Sequence, residues 1–290
     1  MASLKEVRQR IVSVSSTQQI TSAMKMVSAA KLRRAQDAVV QMRPYANKLR
    51  EIFENLSGSL SGSDSVYSKE KKVEKVLLIV ISSNRGLCGG FNSNIMKLAI
   101  RLTNEKYPEQ KKADNVHVLA IGKKAADYFR KSALKLVSTH NELFDKLSYE
   151  NTAPVAEKVM EQFVRGEYDK VELLYNQFKN VAVQILMNEQ YLPVVSQKEE
   201  KKVTRDYIFE PSQEEIVKEL IPRSLKTQLY KALLDSNAAE HGARMTAMHK
   251  ATDNAKDMIR DLKLTYNKAR QATITKEILE IVGGAEALNN

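Results

Sequence analysis

Apolar residues near the start of the chain recur at spacings of three and four. Leu4, Val7, Ile11 and Val14 open the pattern, and Leu32, Ala35, Val39 and Met42 resume it in the same heptad register, as in the seam of a coiled coil. Between them the seam turns polar or small, at Gln18, Thr21, Lys25 and Ser28 within "SSTQQITSAMKMVSAAK", Ser15–Lys31. The pattern predicts a helix from about Ser3 to about Leu56, kinked or short of one backbone hydrogen bond at Pro44. The stretch "SGSLSGSDS", Ser57–Ser65, then reads as a flexible linker.

A second long helical pattern follows Pro211, where Ser212 and Glu215 form an S-x-x-E capping box. It runs through Pro222 to Val282 and is expected to stop at Gly283–Gly284. Its seam, Leu225, Leu229, Ala232, Ser236, Ala239, Ala243, Thr246 and Lys250, also turns small and polar, before Ile259, Leu262, Tyr266 and Ala269 restore apolar positions in a shifted register. At ~1.5 Å per residue the two helices span roughly 75–80 and 90–105 Å. A domain built from the residues between them is too small to bury either, so both protrude, and antiparallel pairing covers both seams.

The middle of the chain has a different period. "VEKVLLIVIS" (73–82) and "VHVLAIG" (116–122) read as buried strands, followed by the helical "KKAADYFRKS" (123–132). "PVAEKVMEQFVRGEY" (154–168) reads as a helix, and "KVELLYNQF" (170–178) and "VAVQILMN" (181–188) as two strands turning at Lys179–Asn180. Strands alternating with helices predict a small α/β sheet domain. The expected organisation is a coiled-coil helix over 1–56, a linker over 57–72, an α/β domain over 73–207 and a second coiled-coil helix over 208–290.

Composition agrees with long helices, since the chain has ten Gly, six Pro and 6% aromatic residues. The formal net charge of +11 is uneven. Within residues 1–50, ten Lys and Arg face only Glu6 and Asp37, which calls for an anionic partner: nucleic acid, lipid headgroups or an acidic protein surface. The single Cys88 excludes an internal disulfide framework and fits a reducing compartment. No apolar run has the length of a membrane span, and a heptad register starting at Leu4 leaves no room for a removable leader.

The chain offers no convincing active site. In "SSNRGLCGGFN", Ser82–Asn92, the glycines match neither dinucleotide-binding nor P-loop spacing, and a tight strand-to-helix turn is the expected role. Cys88 reads as a structural thiol, and His117, His140, His241 and His249 lack metal-ligand spacing and read as surface histidines.

Three separated segments carry a resemblance. "VRQRIVSVSSTQQITSAMKMVSAAKLRRAQ", "SSNRGLCGGFN" and "RMTAMHKATDNAKDMIRDLKLTYNKARQATITKEILEIVGGAEAL" resemble, in order, motifs of the γ subunit of F-type ATP synthases. The resemblance implies an antiparallel coiled coil plus a Rossmann-like α/β domain that binds no nucleotide or other cofactor. It implies a non-catalytic rotor shaft inside a hexamer of alternating α and β subunits, with a foot beside the ε subunit and the c-subunit ring. Carried over, it implies that Arg270 and Gln271 hydrogen-bond a β-subunit loop, that Met24 passes an acidic β loop, and that Tyr207, Phe209 and Glu210 touch the c ring. Many relatives have Tyr at the position of Phe209. With no leader expected, the implied location is peripheral, on the cytoplasmic face of a bacterial inner membrane.

On that reading the polar seam suits contacts with a surrounding sleeve that break and re-form. Two other classes remain as alternatives. One is a basic coiled-coil protein binding nucleic acid, against which stand few stacking aromatics and acidic residues interleaved after Asp253. The other is an enzyme using the Rossmann-like domain.

Overall fold

A computed structural model describes residues 3–57, 66–67, 71–194 and 213–289. Of the linker expected over 57–72, residues 58–65 and 68–70 lie outside the described residues, as do the capping Ser212 and Tyr207, Phe209 and Glu210. Two long helices dominate: α1 spans Leu4–Ser57 and α6 spans Gln213–Asn289. Between them lie β1 (Val76–Ile81), α2 (Phe91–Lys106), α3 (Pro108–Lys112), β2 (Val116–Ile121), α4 (Lys123–Phe129), β3 (Lys135–Thr139), α5 (Tyr149–Val164), β4 (Lys170–Phe178) and β5 (Gln184–Leu192).

The five strands form one sheet in the order β3-β2-β1-β4-β5. The pairs β3·β2, β2·β1 and β1·β4 are parallel, and β4·β5 is an antiparallel hairpin. Strand β1, VLLIVI, is buried at every position, as a central parallel strand with both faces covered must be. Its alternate residues feed two cores. Leu77, Ile79 and Ile81 face Val155, Val159 and Phe163 of α5 and Ile221, Leu225 and Leu229 of α6. Val76, Leu78 and Val80 face Ile95 and Ala99 of α2 and Ala125, Ala126 and Phe129 of α4. Helices on both faces of a mostly parallel sheet give the expected Rossmann-like layering.

Two compact units divide the chain, Ala29–Arg244 with the sheet, and Met1–Ser28 with Met245–Asn290. Along α1 the heptad positions Leu4, Val7, Ile11, Val14, Gln18, Thr21, Lys25, Ser28, Leu32, Ala35, Val39 and Met42 are each at least half-buried, with further cover at Ser15, Ser22, Gln36 and Ala38 beside them. Along α6, cover is nearly all-round from Leu225 to Ala243. It then narrows to a stripe of Met248, Thr252, Ala255, Ile259, Leu262, Tyr266 and Ala269. Lys250, expected in the seam, is exposed, because this stripe stands in a different heptad phase from the positions before it.

Other boundaries also differ from the sequence expectation. Helix α5 starts five residues before Pro154 because Ser148 caps it, its side chain accepting from the Asn151 amide. Strand β5 starts at Gln184 rather than Val181, since the Asn180 side chain accepts from the amides of Ala182 and Val183 and extends the turn. Helix α6 passes Gly283 and Gly284, neither of which takes the positive φ that ends a helix. Strand β3 was not anticipated. It lies at the sheet edge, with its residues alternately half-buried and exposed.

Candidate partner-binding surface

Within the unit formed by the two chain ends, α1 and α6 meet through hydroxyls. Thr21, Ser28 and Thr252 are all buried. The Thr252 hydroxyl lies 2.9 Å from that of Thr21 and donates to it, and each also has a carbonyl of its own helix in reach, Met248 O at 2.8 Å and Gln18 O at 3.0 Å. Ser28 donates to Met24 O at 2.8 Å.

The polar seam therefore faces inward, correcting the expectation that it is what a surrounding sleeve would touch. Seam positions point at the partner helix by the geometry of the heptad. The outward face of α1 instead carries Val12, Ile20, Met26 and Val27 well exposed, and Met24 at 39% exposure.

Arg270 and Gln271 are exposed, at the point where cover on α6 ends. Among the described residues Ala269 is the last half-buried one, and every residue from Arg270 to Ala285 is exposed. This run presents Ile274, Ile278, Leu279, Ile281 and Val282 beside its polar groups. Apolar side chains repeated along one exposed helix mark a surface for a partner. Met24 and Arg270 are not brought together. Taking Thr21 and Thr252 as level, helical rise separates them by about 30 Å along the pair.

In the other unit, the glycine loop after β1 is filled by its own side chains. Ser83 donates from its amide to Asn92 Oδ1 at 3.0 Å and from its hydroxyl to Arg85 O at 2.5 Å. The Asn92 amide donates to Ser83 Oγ at 2.8 Å and reaches Cys88 Sγ at 3.2 Å. Cys88 is buried and its thiol pKa is raised, chiefly by desolvation, which leaves it unreactive. At Gly122, with φ +104°, a Cβ would stand 2.3 Å from Ser82 O, so β2 can turn into α4 only with glycine there.

Helix α6 reaches this loop through Arg244. Its guanidinium donates to Arg85 O at 3.2 Å and Gly86 O at 3.3 Å, and pairs with Glu240 at 2.6 Å. Burial raises the Glu240 pKa, against the Arg244 charge. A guanidinium thus stands at the carboxyl end of β1, where sheets of this type place their ligands, and the loop acts as a seat for α6.

The remaining titratable groups serve local structure. His117 contacts the Tyr168 hydroxyl at 3.1 Å, and His140 lies between Ser138 and Glu142 at 2.9 and 3.3 Å. His249 pairs with Asp253 at 3.2 Å. Contrary to the expectation of surface histidines, His117, His140 and His241 are half-buried and only His249 is exposed, and the His241 pKa is lowered to about 4 by desolvation and then by Arg244 and Lys31. Lys106 and Tyr107 both donate to Glu172, a wholly buried carboxylate of β4. Among the described residues no three metal-ligating side chains group together, and no helix is long and apolar enough to cross a membrane.

Sequence reasoning missed the roles of Arg244, Glu240, Arg43 and Asp235. One signal was available for Asp235, an acid within the apolar and small stretch "ALLDSNAA".

Residues 3–288 match the family model described as ATP synthase. The chain is 60% identical to the ATP synthase gamma chain of Flavobacterium johnsoniae over 291 residues, covering all of both chains. It is 57% identical to that of Cytophaga hutchinsonii over 295 residues, again covering all of both. Among solved structures it resembles a chain of the central stalk and c-ring of the Tetrahymena thermophila mitochondrial ATP synthase, at 25% identity and a TM-score of 0.58, covering 80% of this chain and 99% of that one. It shares its fold with a chain of the Euglena gracilis mitochondrial ATP synthase OSCP/F1/c-ring assembly, at 24% identity and a TM-score of 0.71, over 98% and 94% of the two chains.

Proposed function

The chain belongs to the ATP synthase gamma-chain family, and on that premise we propose that it is the central rotor shaft of a bacterial F-type enzyme. It is a non-catalytic subunit. The observation that carries the reading is the cover on the long helices. Away from the sheet each is covered along a stripe, and α6 from Arg270 to Ala285 is exposed all round, so a partner has surface to surround.

In this reading residues 1–56 and 208–290 form the shaft, 57–72 connect, and 73–207 form the foot. The shaft stands inside a hexamer of three α and three β subunits, where catalysis takes place in β. The foot sits beside ε on the c ring, peripheral to the cytoplasmic face of the inner membrane. Arg270 and Gln271 bind a β loop through forked, charge-assisted hydrogen bonds. Met24 passes an acidic β loop at a lower level. Tyr207, Phe209 and Glu210 contact the c ring.

The mechanism is mechanical coupling. Proton flow turns the c ring and the foot with it, and an asymmetric shaft contacts the three β subunits differently. Shifting one β subunit between two states by ~10⁴ in population takes about 5.5 kcal/mol of differential contact. Exposed ion pairs of about 1 kcal/mol or less each suit contacts that must break on every turn. The nucleic-acid alternative finds no support among the relatives.

Co-expression with the α and β subunits of the same source, followed by gel filtration and an ATPase assay, tests the reading. Co-elution with turnover that depends on this chain supports it. A chain that elutes alone, beside an ATPase indifferent to it, refutes it.

A further inference from the structure

A shaft transmits torque only if the foot cannot slip on it. Torque entering the sheet reaches the long helices through the connecting segments or through side chains that fasten sheet to helix. Helix α6 is fastened by the core, where Ile221, Leu225 and Leu229 are buried with Val155, Val159 and Tyr191, and the Tyr191 hydroxyl donates to Leu225 O at 3.0 Å. Helix α1 offers the same unit a seam of Leu32, Ala35 and Val39. Such contacts are non-directional, so they resist separation of the helices better than sliding or turning.

Arg43 adds direction. Its Nη2 donates to Phe178 O, the last residue of β4, at 3.2 Å, and stands 3.5 Å from Oδ1 of Asp235 on α6. One guanidinium thus joins α1, α6 and the β4–β5 hairpin. The hairpin also abuts α6 directly about two turns further along, since a Cβ on Gly242 would meet Phe178 Cε2 and Val181 O, both at 3.4 Å.

Asp235 is a costly choice for stability. It is wholly buried, its pKa is raised by desolvation against the Arg43 and Lys231 charges, and neither carboxylate oxygen accepts a hydrogen bond among the described residues. The pair is buried at its acidic end only, since the Arg43 side chain keeps 45% exposure, so it adds little to stability and serves to set which groups meet.

We propose that Arg43 is a positioning residue for torque transmission, keying α1 to the β4–β5 hairpin and to α6 so that the helix pair and the foot turn as one body. The inference rests on the shaft reading.

The test uses the complex of the full chain with α and β, fixed to a surface through the hexamer. A bead is attached to the foot through Lys131→Cys, an exposed position, while the native Cys88 is buried. Angular fluctuation of the bead is recorded while the motor is stalled, for the parent, R43M and R43K. Removing one directional link from a coupled network should about double the angular variance in R43M, with R43K intermediate and unloaded ATPase turnover unchanged. Circular dichroism melts separate loss of fold from loss of stiffness, and if R43M does not fold, R43K decides. Variance equal to the parent's in the folded variants overturns the role of Arg43 and leaves the shaft reading standing. Failure of the parent chain to assemble with α and β overturns both.

Discussion

The hydroxyl of Thr252 donates to that of Thr21 across 2.9 Å, at a seam position where a coiled coil ordinarily places aliphatic side chains. Each hydroxyl also has a carbonyl of its own helix to bond. Removing either one therefore leaves the other satisfied. Thr21→Val or Thr252→Val alone should change the stability of the full chain by about 1 kcal/mol or less, and the double variant should be at least as stable as the parent. Thermal unfolding followed by circular dichroism checks this. A double variant destabilised well beyond the sum of the singles would show that the hydroxyl pair itself holds the helices.

Gly122 should tolerate no side chain. With φ +104° and Ser82 O at 2.3 Å from an added Cβ, Gly122→Ala combines a backbone clash with a disfavoured conformation. The expected loss is about 2 kcal/mol or more, read as a lower urea midpoint for the sheet's tyrosine signal. The exposed Gly284→Ala, with nothing within 4 Å of its added Cβ, should instead gain a few tenths of a kcal/mol to about 1.

His241 makes stability depend on pH. Its folded pKa of about 4 lies below the ordinary 6.5. Above the ordinary value both states are neutral and the contribution is fully present. As pH falls the unfolded chain takes up the proton first, so stability is lost between about 6.5 and about 4. For a group only partly shielded from water the loss is roughly 2 kcal/mol. Arg244 and Lys31 oppose its charging, while the raised carboxyl pKa values of Glu240 and Asp235 work the other way, adding stability as they protonate. His241→Gln should flatten the slope of stability against pH across this window, measured by urea titrations. An unchanged slope would assign the acid loss to other groups.

Arg270→Glu should weaken ATPase turnover or proton pumping in the assembled complex and leave the helicity of the isolated chain intact. The residue is exposed and lies on a helix stretch, Arg270 to Ala285, that is exposed throughout among the described residues. Unchanged turnover and pumping would remove Arg270 from the β contact.

The seam of α1 was legible in full, since every heptad position from Leu4 to Met42 has cover. What its polar centre does was not, because periodicity tells which residues share a face but not whether that face meets a helix or a sleeve. On α6 the heptad failed between Thr246 and Met248. A helix covered nearly all round beside a sheet, and along one stripe beyond it, has no single period. Strands β1, β2 and β4 were recognisable as apolar runs, whereas the edge strand β3 was too short and too polar. Gly283 and Gly284 misled because glycine permits a helix to stop without requiring it. Arg43, Asp235 and Arg244 went unseen because they meet groups far away in sequence, 135 residues from Arg43 to Phe178 and 159 from Arg244 to Arg85.

Rotation itself is the most direct test of the central claim. The full chain, assembled with α and β fixed to glass and carrying a bead on the foot, should turn in one direction when ATP is added. Each turn should divide into three dwells, one for each β subunit. ATP hydrolysis with a bead that shows no directional rotation would contradict the shaft.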